Sequence, residues 1–278
     1  MKYTEQEKYK EAESLYKKGF KIGERMLREN HSDTISSYNN LAYVYARQEK
    51  YKEAEGLYKK GLEISEKILG ENHPAIARSY NNLAGLYVRQ GKYKEAEPLY
   101  KKGLEISEKI LGDSHSATTS NYNNLAYVYA RQGKYKEAEP LYKKALKIRE
   151  KILGEKHSAT ARSYNNLAYV YARQRKYKEA EPLYKKGLEI REKILGEKHL
   201  DTAISYNNLA GLYGNQEKYK MALVHYLKAY KIFVCKLGLQ HLNTQIVYEN
   251  MEIVYSEWNP EGNFNQWLEE EMKKIKQE

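Results

Sequence analysis

The feature that most constrains this chain is a repeat of fixed length. The tetrapeptide NNLA begins at Asn39, Asn81, Asn123, Asn165 and Asn207, so each step is 42 residues. KYKEAE begins at Lys8, Lys50, Lys92, Lys134 and Lys176, and His31, His73, His115, His157, His199 and His241 keep the same register. Residues 116–157 and 158–199 differ at only 6 of 42 positions. Self-similarity at this period marks a stack of supersecondary units, each burying its apolar face against the next. It also explains an odd composition: 29 Tyr against 2 Trp and 3 Phe is one short pattern multiplied.

Residues 74–115 show what one unit can form. Ile76, Tyr80, Leu83, Ala84 and Tyr87 recur at spacings of three and four, which predicts a helix over 75–90. Gly91 tolerates positive φ and can turn the chain. Tyr93, Ala96, Leu99, Tyr100, Gly103, Leu104, Ile106, Ile110 and Leu111 predict a second helix over 93–111, roughly 28 Å long. Gly112 then stops it. Small residues at Ala84, Ala96 and Gly103 let the helices approach closely. Pro98, Pro140 and Pro182 fall inside the second helix and predict a tolerated kink, because each removes a backbone donor. No helix pair can bury both faces alone, so neighbouring pairs must stack into an all-α solenoid.

Composition excludes several classes. A hydrophobic content of 41% is too high for a disordered chain. The longest apolar runs, such as Leu41–Ala46, are far short of the roughly 20 residues a spanning helix needs. The first ten residues lack the apolar core of a secretory signal. One cysteine, Cys235, gives no internal disulfide framework. The expectation is a soluble, cytoplasmic protein with no membrane contact.

The pattern resembles tetratricopeptide repeats (TPR). Tyr80, Leu83, Ala84, Tyr87, Ala96, Tyr100 and Gly103 fall on that family's signature positions in order and spacing. The 42-residue unit, with LGENHP between repeats and the wording NNLA and GKYKEAEPLYK, is similar to the kinesin light chain type. The resemblance implies a right-handed superhelical solenoid of antiparallel helix pairs, and a non-catalytic protein-binding scaffold. It divides the chain into a repeat array over 1–241 (a half repeat at 1–31, then five full repeats) and degenerate capping helices over 242–278. Kinesin light chains carry a heptad coiled coil before their repeats, and nothing here resembles it.

The ends depart from the pattern. Tyr3 aligns with Tyr45, so residues 1–6 read as the tail of a first helix and 7–28 as a second helix without its partner. Leu15, Phe20 and Ile22 are expected to lack part of their cover, which suggests a fragment, docking onto another chain or self-association. Toward the C-terminus Asn250 and Met251 stand where Asn208 and Leu209 stand one unit earlier. Asn259–Asn263 reads as a turn. A short charged helix follows from about Phe264, and residues 272–278 are expected to fray.

The resemblance also implies a groove. In the family the first helix of each pair lines a concave side that commonly grips an extended peptide. The matching residues are Asn40, Asn82, Asn124, Asn166 and Asn208; three positions on, Tyr43, Gly85, Tyr127, Tyr169 and Gly211; and seven on, Arg47, Arg89, Arg131, Arg173 and Asn215. These spacings put each trio on one helical face. Asn amides can pair with peptide backbone, Arg suits carboxylates, and Tyr supplies area with a polar tip. Residues 74–90, 116–132 and 158–174 contain no acid. The inner wall is therefore expected to be positive and its ligand an acidic, extended protein segment with an aromatic or apolar anchor. Against this stands a purely structural reading, in which the Asn bond neighbouring helices and the Arg are solvated helix ends.

Other candidates are weaker. One histidine per inter-repeat loop cannot converge on a metal across a helix-pair width, so these residues read as capping or packing groups. His225 replaces the repeat's leucine and reads as a satisfied, partly buried histidine. Cys235, beside Phe233 and Val234, reads as a buried structural thiol. Near-identical repeats do not build the single asymmetric constellation that catalysis needs, so no enzyme and no cofactor are expected. Nucleic acid is the rival partner, since the net charge is +11 and Lys-Tyr pairs recur. The lysines are interleaved with Glu, however, as on a solvated face.

Overall fold

The computed structural model describes residues 9–18, 32–70 and 73–274, and all regular structure in them is α-helical. Residues 9–18 belong to α1. Then follow α2 (Ser32–Arg47), α3 (Tyr51–Leu69), α4 (Pro74–Arg89), α5 (Tyr93–Leu111), α6 (Ser116–Arg131) and α7 (Tyr135–Leu153). The second half holds α8 (Ser158–Arg173), α9 (Tyr177–Leu195), α10 (Leu200–Asn215), α11 (Tyr219–Leu237), α12 (Leu242–Trp258) and α13 (Phe264–Lys274). The chain divides into two compact units, with the boundary inside α7: residues 1–145 form unit 1 and residues 146–278 unit 2.

The first helices α4, α6, α8, α10 and α12 start on a histidine. His73, His115, His157, His199 and His241 are N-caps whose Nδ1 accepts the backbone N–H two residues on, at 3.0–3.2 Å. A side-chain acceptor there satisfies one of the four orphan donors of a helix start. This gives the in-register histidines their capping role; His31 lies outside the described residues.

The first helices α2, α4, α6, α8 and α10 end in the same turn. Lys92 N donates to Tyr87 O and Gly91 N to Val88 O, at 2.9 and 3.0 Å, which is the Schellman pattern. Gly91 sits at φ +72°, yet Glu49, Arg175 and Glu217 hold the equivalent position at about the same φ. The glycine closing each second helix is more demanding. Gly112 has φ 77° and ψ 166°, in a region essentially restricted to glycine.

The second helices run unbroken through Pro98, Pro140 and Pro182, which lie on their exposed sides. Close approach rests on small residues as expected. Ala84 and Ala96 are fully buried, and a Cβ on Gly103 would stand 3.0 Å from Asn81 Oδ1 and 3.2 Å from Ala77 O.

In unit 1, Ala42, Ala46, Ala54, Tyr58, Leu83 and Leu86 form one core cluster. In unit 2 a larger cluster runs from Ala168 through Tyr213, Phe233 and Met251 to Leu268. There Tyr255 packs against Phe264 and Trp267, with ring centroids 5.6 and 5.1 Å apart, so aromatics hold α13 to α12.

The ends correct some expectations. Leu15 is 69% exposed on α1, as expected, whereas residues 1–6 and 19–28, with Phe20 and Ile22, lie outside the described residues. Residues 272–274 remain helical rather than frayed, and 275–278 lie outside the described residues. Cys235 is exposed, not buried. Phe233 points into the core, but Cys235 takes the register of Lys193 on the outer side of its helix. It borders a crevice of about 360 Å³ with Tyr206, Lys228 and Ile232. His225 is half-buried, with its Nδ1 2.8 Å from Met221 O, and burial pushes its pKa down.

Candidate peptide-binding face

The NNLA motif splits its two asparagines between two environments. The first lies against neighbouring helices: Asn39, Asn123 and Asn165 are buried, and Asn81 and Asn207 half-buried. Asn81 Nδ2 donates to Asn121 Oδ1 at 2.7 Å, Asn123 Nδ2 to Thr119 O at 2.9 Å, and Asn165 Nδ2 to Ala161 O at 3.0 Å. The second asparagine faces outward. Asn40 is exposed and Asn82, Asn124, Asn166 and Asn208 are half-buried. Asn82 Nδ2 makes one long contact with Asn39 Oδ1, at 3.4 Å, and the other four make no hydrogen bond among the described residues. Asn123 and Asn165 bond carbonyls of their own helices. The bonds between helices are Asn81 Nδ2 to Asn121 Oδ1, Asn165 Nδ2 to Ser205 Oγ at 3.4 Å and the Asn82–Asn39 contact, so the first residue of the pair carries most, but not all, of them.

In unit 1 the face is built by α2, α4 and α6. Tyr43 and Tyr127 stand exposed beside their asparagines. Arg89 and Arg131 are exposed, while Arg47 is half-buried. The arginines are not simply solvated. Arg47 Nε donates to the Tyr9 hydroxyl at 2.7 Å, and its guanidinium lies over that ring. Arg131 lies over Tyr93 in the same way, 5.4 Å from the centroid, and Tyr93 meets Tyr127 edge-on at 6.5 Å. The tyrosine of KYKEAE therefore orients the arginine and tyrosine of the next first helix. The signal was the constant offset of 38 residues between Tyr9 and Arg47 and between Tyr93 and Arg131.

Each unit has further tyrosines beneath its own face, Tyr58 and Tyr100 in unit 1 and Tyr184 and Tyr226 in unit 2. All four are on second helices and at least nine-tenths buried. Burial pushes the Tyr58, Tyr100 and Tyr226 hydroxyls up to about 12. Where the face carries glycine, that hydroxyl reaches it: Tyr100 Oη lies 3.6 Å from the place of a Cβ on Gly85, and Tyr226 Oη 3.4 Å from that on Gly211. Neither hydroxyl has a hydrogen bond among the described residues.

In unit 2 the face is carried by α8, α10 and α12. Tyr169 and Arg173 are exposed beside Asn166 on α8. Next to Asn208 on α10 stand Gly211 and exposed Asn215.

A second set of lysines and tyrosines, distinct from the adjacent Lys-Tyr pairs of KYKEAE, meets on the other side of the helices. Lys102, Lys144, Lys186 and Lys228 lie over the rings of Tyr80, Tyr122, Tyr164 and Tyr206, 4.4–5.4 Å from the centroids. Those tyrosines donate to Glu66, Glu108, Glu150 and Glu192. Neighbouring hairpins are tied by the last Glu of KEAE. Glu97 meets Lys101 and Lys134, each at 2.7 Å, and its carboxyl is held down at about 2 by those contacts against the opposing effect of burial.

A tetratricopeptide repeat model matches residues 3–67, 33–109, 116–193 and 164–233. The chain belongs to the tetratricopeptide repeat family. The TPR units here are of the kinesin light chain-like kind. A P. anserina putative kinesin light chain with nearly identical TPR-like repeats is 26% identical, with a TM-score of 0.65 over 74% of this chain and 98% of that one. BtubC from P. vanneervenii has the same fold at 22% identity, with a TM-score of 0.71 over 83% and 92% of the two chains. YrrB, described as a TPR protein with an unusual peptide-binding site, is 18% identical, with a TM-score of 0.51 over 83% and 97%. No curated protein matches the chain. No helix among the described residues is long and apolar enough to cross a membrane.

Proposed function

We propose that this TPR chain is a non-catalytic protein-interaction module that holds an extended, acidic segment against the first helices. The observation that carries this reading is the row of second asparagines. Asn40 is exposed and Asn82, Asn124, Asn166 and Asn208 are half-buried; all but Asn82 make no hydrogen bond among the described residues, and within each unit they hold the same register on the first helices. An amide presented this way can donate to a peptide carbonyl and accept from its N–H. The arginine edges and the absence of acid from residues 74–90, 116–132 and 158–174 favour carboxylates. The peptide-binding site described for YrrB supports the class of ligand.

The test is a pull-down from lysate at moderate salt with wild type beside Arg89→Glu/Arg131→Glu, both checked by circular dichroism. A partner retained by wild type and lost by the folded double variant is the expected result. A partner held equally by both places the site elsewhere. Leu15, exposed on α1, supports a second reading in which this helix docks onto another chain. Light scattering across a concentration series tests its self-association form, which a strict monomer excludes.

A further inference from the structure

Unit 2 alone carries the inner face through a change of chemistry. Four positions recur on it, at −4, 0, +3 and +7 relative to the second asparagine, and all lie within about 60° on a helix of 3.6 residues per turn. On α8 they are Arg162, Asn166, Tyr169 and Arg173; on α10, Ile204, Asn208, Gly211 and Asn215; on α12, Ile246, Asn250, Ile253 and Glu257. The row at −4 therefore runs Arg, Ile, Ile, and the row at +7 runs Arg, Asn, Glu, while the Asn row never changes. Ile204, Ile246 and Ile253 are 38, 41 and 62% exposed, far more than a packed isoleucine needs. At Gly211 the missing side chain opens a window on the Tyr226 hydroxyl, which is unbonded on a side chain only 5% exposed.

We propose that this face reads a peptide in a set order: an acidic side chain over α8, a backbone carbonyl at the Tyr226 hydroxyl in the Gly211 window, and apolar side chains over Ile204, Ile246 and Ile253. The inference rests on the peptide-binding reading above and gives it a direction along the unit. Charge complementarity selects the acidic end. Arg162 is exposed, and buried Arg149 and Arg191 lie close enough to feel its charge. Glu257 makes the far end unfavourable for a second carboxylate. Spacing follows from geometry. Adjacent first helices stand roughly 10 Å apart, and an extended peptide advances about 3.3 Å per residue. The apolar residues belong about three and six positions from the acid.

The experiment is selection of a random 12-residue peptide library displayed on phage against the full chain at moderate salt. Parallel selections use Arg162→Glu and Ile246→Ser/Ile253→Ser, whose changes are all at exposed positions. Wild type is expected to enrich an acid with apolar residues about three and six positions away. Arg162→Glu should lose the acid, and the Ile variant the apolar residues only. Tyr226→Phe should weaken the best peptide about three- to tenfold by fluorescence anisotropy, the worth of one hydrogen bond, with an unchanged melting temperature. Acidic peptides without the apolar spacing overturn this inference and leave the peptide-binding reading standing. Peptides enriched equally by all variants, or no enrichment over a blank surface, overturn both.

Discussion

One position shows how differently the two units solve the same packing problem. It lies on each second helix and faces the residue 14 places later, on the next first helix. In unit 1, Ser65 Oγ meets Ser79 Oγ at 3.5 Å, and Ser107 Oγ accepts from Asn121 Nδ2 at 2.7 Å. In unit 2, Arg149 Nη1 donates to Ser163 Oγ at 2.7 Å and to Ala159 O at 3.2 Å. Arg191 Nη1 repeats this with Ser205 Oγ and Asp201 O, at 2.9 and 2.7 Å. The last copy is apolar on both sides, with Phe233 and Val247 each 2% exposed in one cluster. A small hydroxyl pair, a guanidinium and a phenyl ring thus occupy one register. The repeat sets a place for a pair, and each pair needs only internal complementarity: polar atoms bonded or polar atoms absent.

That comparison can be broken at its strongest point first. Phe233→Ala empties a site in the unit 2 core cluster and should cost about 3–5 kcal/mol by urea denaturation. A loss near 1 kcal/mol would show that the apolar pair is no better filled than the hydroxyl pairs.

The arginine sites come next. Arg149 and Arg191 are 7 and 8% exposed, and burial pushes both pKa values down, Arg149 to about 10. Their bonding partners are neutral oxygens. Arg191→Met keeps the volume and removes the buried charge, so stability should stay within about 1 kcal/mol of wild type or rise. Arg191→Ala leaves a void and should cost about 2–4 kcal/mol. Equal losses in both variants would mean that the charge, and not the volume, holds the pair.

Unit 1 offers the smaller effect. Ser107→Ala removes the acceptor of Asn121 Nδ2, which keeps its bond to Gly103 O at 3.1 Å. About 1 kcal/mol should be lost by urea denaturation. No loss would mean that the bond to Gly103 O alone satisfies Asn121 Nδ2.

The finest probe is alkaline pH. Tyr58, Tyr100 and Tyr226 hold their protons to about 12 in the fold, against 10 when free. The unfolded chain releases those protons first, so stability should fall as pH rises from 10 to 12. Arg149 acts in the opposite sense. Its native pKa lies below its ordinary value, the unfolded chain keeps the proton longer, and this site alone gains stability above pH 10. Arg149→Met should therefore steepen the alkaline loss, read as urea midpoints across that range. An identical slope would mean that Arg149 keeps its proton in the fold.

Much of this was legible because it is local. Apolar spacing placed the second helix at Tyr93–Leu111, the bounds observed. Glycine after each second helix of the repeats, small residues at the helix crossing and a half-buried His225 follow from chain geometry and register. Cys235 was misread because its neighbours suggested burial, although its register with Lys193 pointed outward. Arg149 and Arg191 look like surface residues by type; they are buried because the facing helix offers small serines. The Tyr9–Arg47 and Tyr93–Arg131 stacks join residues from different hairpins, so no helical period within one hairpin displays them.

By itself the sequence determined the helices, their lengths, their turns and the 42-residue register in which they meet, since these depend on near neighbours and on φ. Tertiary packing decided which of two adjacent asparagines bonds its neighbours and which remains open. Asn165 and Asn166 are chemically the same and differ by about 100° around one helix axis. Only the position of the next helix turns that angle into burial for one and exposure for the other. The Tyr226 hydroxyl at Gly211 follows the same rule: a glycine in a helix is a blank in the sequence, and it becomes a window only when a buried donor lies beneath it.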